Sequence, residues 1–173
     1  MQSFLLLLLV LGVCSVALGC TDVLCNHPDQ GSCGNACCKL GFTLNSPTVT
    51  VMNRLNASIV AGGPDGLYMP QITAEGTLTF GDLRAYPGHP DFIGQAWHAT
   101  KNGLYNDTIN FTLTPTDSTG TATQVKAFSI SQIGGAYGDA GQNYFNIVQL
   151  ITSLWADAKA EPLDSSCPIA ASR

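Results

Sequence analysis

The placement of cysteine constrains this chain more than any other feature. Cys20, Cys25, Cys33, Cys37 and Cys38 crowd into one short stretch, and Cys167 stands near the far end. An even set in an oxidising compartment implies a disulfide framework whose connectivity the spacing leaves open. Five cysteines cannot all pair among themselves, so at least one bond must bring residue 167 back to the first cluster. Cys37 and Cys38 are neighbours, and a bond between them strains the backbone, so each is expected to pair elsewhere. The competing use is a zinc site built from Cys33, Cys37 and Cys38 with His27.

The compartment follows from the first residues. Residues 4 to 13 read Phe-Leu-Leu-Leu-Leu-Leu-Val-Leu-Gly-Val, too short an apolar run to span a bilayer, and the small residues Ala17 and Gly19 precede Cys20. This is the pattern of a secretory signal peptide over 1–19, and Cys14 leaves with it. The remainder, 20–173, is expected to be one extracellular domain. It divides into a cysteine-rich lead-in (20–41), a loop-rich insertion (61–90) and a tail (160–173). No later segment is apolar for long enough to cross a membrane. With 7 Lys and Arg and a net charge of −5, the chain shows no basic patch, so nucleic acid is not expected as a partner. The acidity suits cationic ions or surfaces, but there are no long acidic runs.

Local pattern points to an α+β fold. Residues 123–133 interleave Val125, Phe128, Ile130 and Ile133 with polar residues, as a strand does. Residues 107–114 alternate strictly, with Asp107, Ile109, Phe111 and Leu113 on one face. A turn at 117–120 joins the two as a hairpin. Phe92–Ala99 is a further strand, Ala74–Phe80 alternates similarly, and Phe42–Leu44 is a short strand. Tyr144, Ile147, Val148, Ile151, Leu154, Trp155 and Ala158 share one helical face, predicting a helix over 140–158. Asp139 is its expected N-cap and Gln142 the partner in a capping box. Ser46-Pro47 opens a second helix, 47–60, with Val49, Met52, Leu55 and Ile59 at helical spacing. The expected architecture is a twisted antiparallel sheet with its helices on one face.

Three blocks carry a resemblance. The last is a strand with Ser129, Ser131 and Gly134, followed by Asp139, Gly141 and Asn143 at the helix start. The second is Tyr105-Asn106-Asp107 leading into an alternating strand, and the third is Cys33-Gly34-Asn35. Together they resemble a widespread family of unknown function with bacterial, plastid and secreted eukaryotic members. The resemblance covers mainly residues 91–158. The family often has Arg where this chain has Gln132, and its glycine loop is two residues shorter. It implies no activity.

Asn56-Ala-Ser, Asn106-Asp-Thr and Asn110-Phe-Thr are N-glycosylation acceptors. Asn110 belongs to the polar face of its strand, so a glycan there requires that face to be solvated and the helices to lie on the other.

No sequence signature of catalysis, cofactor binding or metal binding appears. Gly135-x-x-Gly138-x-x-Gly141 has the wrong spacing for a phosphate cradle and lacks the following Lys. A Ser/His/Asp triad can be assembled on paper from Ser129 or Ser131, His98, and Asp107 or Asp139. The simpler role for Ser129, Ser131, Asp139 and Asn143 is capping and hairpin hydrogen bonding. The sequence therefore points to a secreted non-catalytic glycoprotein, such as an extracellular or mineral-associated matrix component. The second reading is an extracellular small-ligand binder using a pocket between sheet, helix and the 61–90 loops, marked by an apolar cavity next to His98 and Tyr137, and the third is a hydrolase. No cofactor or metal is called for.

Overall fold

The computed structural model describes residues 33–71 and 79–167. The signal peptide, Cys20, Cys25, His27 and most of the alternating segment 74–80 lie outside the described residues. The elements in chain order are β1 (Cys37–Leu44), α1 (Thr48–Val60), β2 (Tyr68–Pro70), β3 (Phe80–Asp82), β4 (Phe92–Ala99), β5 (Asn106–Pro115), β6 (Thr123–Ser131), α2 (Gln142–Leu154) and β7 (Glu161–Pro162). The fold is α+β. Among the described residues, seven strands form one sheet in the order β2-β4-β5-β6-β1-β7, with β3 beside β2 on the outer edge of β4. Every pairing is antiparallel.

Period-2 alternation sets what the sheet buries on its helical side. Ile109, Phe111 and Leu113 of β5, Val125 of β6, and Leu40 and Phe42 of β1 are fully buried. Val51, Leu55 and Ile59 of α1 and Ile147, Leu150 and Ile151 of α2 complete this core. Each such side chain contributes about 1.5–3 kcal/mol when it leaves water.

Several expectations are corrected. The first strand is longer than Phe42–Leu44 and begins inside the cysteine-rich lead-in, because β1 starts at Cys37 and pairs with β6 over its whole length. α1 starts one residue later than expected and has no side-chain cap. Its buried face runs through Thr48, Val51, Leu55 and Ile59, leaving Val49 exposed. α2 ends at Leu154, where Trp155 turns to extended backbone. Trp155 and Ala158 still pack on the core, so the apolar period reported burial beyond the helix end. Arg54 of α1 donates to the Leu154 carbonyl and places its guanidinium 4.4 Å from the Trp155 ring centroid. That cation caps the negative end of α2.

The disulfides described are Cys33–Cys37 and Cys38–Cys167. The neighbouring cysteines do pair elsewhere, and the tail does return to the first cluster. Both bonds use up the sulfurs of the alternative zinc set. The tail is also held by β7 on β1 and by a Lys39–Asp164 ion pair at 2.7 Å. The lysine's hydrogen bond, helped by Ser166, holds the Asp164 carboxyl down to about 2.

Candidate functional site

Ser129, Ser131, Asp107 and Asn143, all singled out by sequence, meet at one buried node between the sheet and α2. Ser129 and Ser131 point to the helical side of β6, and Asp107 lies opposite Ser131 in the β5–β6 register. The Ser129 hydroxyl donates to Asn143 Oδ1 at 2.6 Å. Asn143 Nδ2 donates to Ser131 Oγ at 3.0 Å and to the Ala36 carbonyl at 2.9 Å. Asn35 Nδ2 donates to the Ser131 carbonyl, and the Gly135 amide donates back to Asn35 Oδ1. All three resembling blocks thus touch. Their common role here is to stitch the segment before β1, the glycine loop and the start of α2 together.

Asp107 sits at the node's centre, 4% exposed. Burial pushes its carboxyl above the ordinary range, while hydrogen bonds from Asn146 and Ser131 act against the rise. Asn146 Nδ2 reaches Asp107 Oδ2 at 2.8 Å. Asn146 was missed in the sequence, although it follows Asn143 by three residues in phase with Ile147 and Leu150. Two amides on the apolar stripe of a helix are the available signal for a buried polar node.

A second cluster adjoins the first through His98, the register partner of Asp107. His98 Nε2 faces Asp65 Oδ2 at 3.0 Å. Gln149 Nε2 donates to the same carboxylate at 3.0 Å and to the Tyr68 hydroxyl at 2.8 Å, and Tyr68 donates to the Asn146 carbonyl. Burial raises the Asp65 carboxyl, but the hydrogen bonds from His98, the Leu67 amide and Gln149 together hold it below the usual value. The turn presenting Asp65 requires Gly63, which has φ +65° and whose Cβ would lie 2.1 Å from the Tyr68 ring.

The triad does not form. Ser129 is fully buried and bonded to Asn143, and His98 turns its Nε2 to Asp65. Asp139 lies at the helix start, but not as the N-cap residue. Gly141, at φ 82°, holds that position. Asp139 Oδ1 accepts from the Gly141 amide at 3.0 Å and Oδ2 from the Asn143 amide at 2.6 Å. Gln142 bonds Asn146 instead of closing a capping box. Asp139→Ala is therefore expected to cost about 0.5–2 kcal/mol in chemical denaturation. Asp139→Asn should cost less, because one acceptor oxygen remains. Equal midpoints for wild type and Asp139→Ala would show that these bonds do not hold the helix start.

Of the two residues expected to flank a pocket, His98 is buried and Tyr137 is 89% exposed. A cavity of about 560 Å³ instead lies on the sheet face away from the helices. Its floor is two cross-strand rows over β4, β5 and β6. One row is Gln95, Asn110 and Phe128, and the other is Trp97, Thr108 and Ile130. Gly34, Gln71 and Gln132 complete the described lining. This corrects the view of Asn110 as solvated. It is 4% exposed, and its Oδ1 accepts from Gln95 Nε2 at 2.6 Å.

Among the described residues, no group of three or more His, Cys, Asp or Glu is placed to hold a metal ion. No described helix is long and apolar enough to cross a membrane. Comparison with protein-family models, curated proteins and solved structures found no match for this chain.

Proposed function

We propose that the protein is a secreted, N-glycosylated, non-catalytic component of an extracellular layer, and a divergent member of the family that its three blocks resemble. The Cys38–Cys167 bond carries the location, because such a bond persists in oxidising compartments. The non-catalytic reading is supported by the polar node, whose serine, asparagine and aspartate groups hold one another under α2. Net acidity suits a matrix that presents cations. The cavity on the other face favours ligand binding as a second reading.

The test is expression with the native N-terminus in a eukaryotic secretory host. The protein should reach the medium beginning at Cys20. Glycopeptide mass spectrometry should find sugar on Asn56 and Asn106, which are half-buried, and none on Asn110, whose side chain is enclosed. In its source tissue it should partition into the insoluble extracellular fraction. Retention in the cytosol with residues 1–19 uncleaved would sink the location, and free extraction in buffer would sink the matrix role.

A further inference from the structure

We infer that the cavity over β4, β5 and β6 is a binding site for a neutral oligosaccharide. This deepens the binding reading of that cavity and does not depend on the matrix role. Its volume, about 560 Å³, falls within the roughly 300–1,000 Å³ of small-molecule sites. The chemistry of the lining narrows the class. Gln71, Gln95 and Gln132 supply amides, and Thr108 supplies a hydroxyl. An amide offers a donor and an acceptor side by side, which matches a sugar hydroxyl that must both give and take a hydrogen bond.

No charged side chain belongs to the described lining, so nothing there compensates an anionic or cationic ligand. Trp97, 37% exposed, presents indole surface beside those amides. A flat aromatic surface next to polar groups fits a sugar ring, which has an apolar C–H face and a polar rim.

A second observation points the same way. Gln71 Oε1 is buried and has no hydrogen-bond partner. An orphaned buried acceptor costs free energy unless something donates to it. Gln71 continues from β2, and its amide bonds the Gln95 carbonyl at 3.3 Å, which anchors its backbone at the edge of the floor. A ligand hydroxyl reaching that edge would supply the missing donor. The site exists only because the register sets Gln95 beside Asn110 and Trp97 beside Thr108.

The test uses the full mature glycoprotein and the change in tryptophan fluorescence. Trp155→Phe removes the other indole, so the signal reports Trp97. The probes are neutral gluco-, manno-, xylo- and chito-oligosaccharides, with heparin and hyaluronan fragments as charged controls. At least one neutral series should give a saturable shift, and the charged controls none. Isothermal titration on proteins that keep Trp155 should show at least tenfold weaker binding for Trp97→Ala and for Gln71→Met. Both variants should keep the wild-type far-UV circular dichroism. Trp97 is half-open and Gln132 is exposed, so Trp97→Ala and Gln132→Ala test the site without disturbing the core. The inference is overturned if no neutral series binds at millimolar concentration, if a charged fragment binds best, or if the folded Trp97 and Gln132 variants bind like wild type. A protein that is secreted and matrix-bound but binds no neutral sugar would overturn this inference alone.

Discussion

Replacing Cys38 and Cys167 together with alanine is expected to lower stability by about 2–5 kcal/mol. The bond closes a loop of 129 residues in sequence, so removing it frees nearly the whole described chain in the unfolded state. The Cys33–Cys37 bond spans a separation of 4, and its removal should cost clearly less. In a chain of this size each kcal/mol corresponds to roughly 2–4 °C in Tm. The folded state is touched as well. Cys167 leads back into β7, which pairs with Gly41 and Leu40, and into Asp164, which pairs with Lys39. Hydrogen exchange should therefore quicken first at Leu163, whose amide bonds the Lys39 carbonyl. If the double variant melts with wild type while the Cys33/Cys37 variant does not, the long bond is not the main staple.

Asn146→Ala is expected to be the most damaging single change in the buried node, costing about 3 kcal/mol at neutral pH. Asn146 is fully buried and donates to Asp107, and alanine would leave that carboxylate under α2 with Ser131 as its remaining side-chain donor. The damage should depend on pH in a defined direction. Burial already raises the Asp107 carboxyl above its value in the unfolded chain. Between that value and the raised one, the folded state holds more protons than the unfolded state, so stability falls as pH rises through the window. Losing Asn146 removes a bond that opposes the rise, which widens the window upward. The deficit of Asn146→Ala should then be smallest below the unfolded value and grow as pH climbs.

Asp65 and Asp164 are shifted the other way and contribute stability that is lost as pH falls. They are common to both proteins and cancel in the difference. Asp107→Asn should rescue Asn146→Ala in part, since an amide carries no charge to strand. Denaturant midpoints for the four proteins across pH 3–8 measure this directly. A pH-independent deficit with no rescue would mean that Asn146 matters for packing and not for Asp107.

Much of the framework is legible without coordinates, for local reasons. The alternation over 92–99 and 107–114 follows from successive side chains pointing to opposite faces, and β4 and β5 lie there. The two helices follow from their apolar spacing and the breakers around them. The return of residue 167 to the first cysteine cluster follows from parity alone, and Cys38 receives it.

What tertiary structure alone decided is every relation between residues far apart in sequence. Alternation tells which residues of β5 share a face, but not what lies across from them on β4 and β6. The register does that, and it encloses Asn110 between Gln95 and Phe128 where the sequence reading left it in water. The partner of His98 was equally hidden. Asp65 lies in a glycine turn and reaches the histidine only because β2 pairs with β4 and Gly63 admits the Tyr68 ring. The end of α2 is capped from outside by Arg54 of α1, while the apolar period runs on past it. Periodicity reports how a segment divides between core and solvent. Hydrogen-bond partners depend on where the rest of the chain is placed, and no local window contains that information.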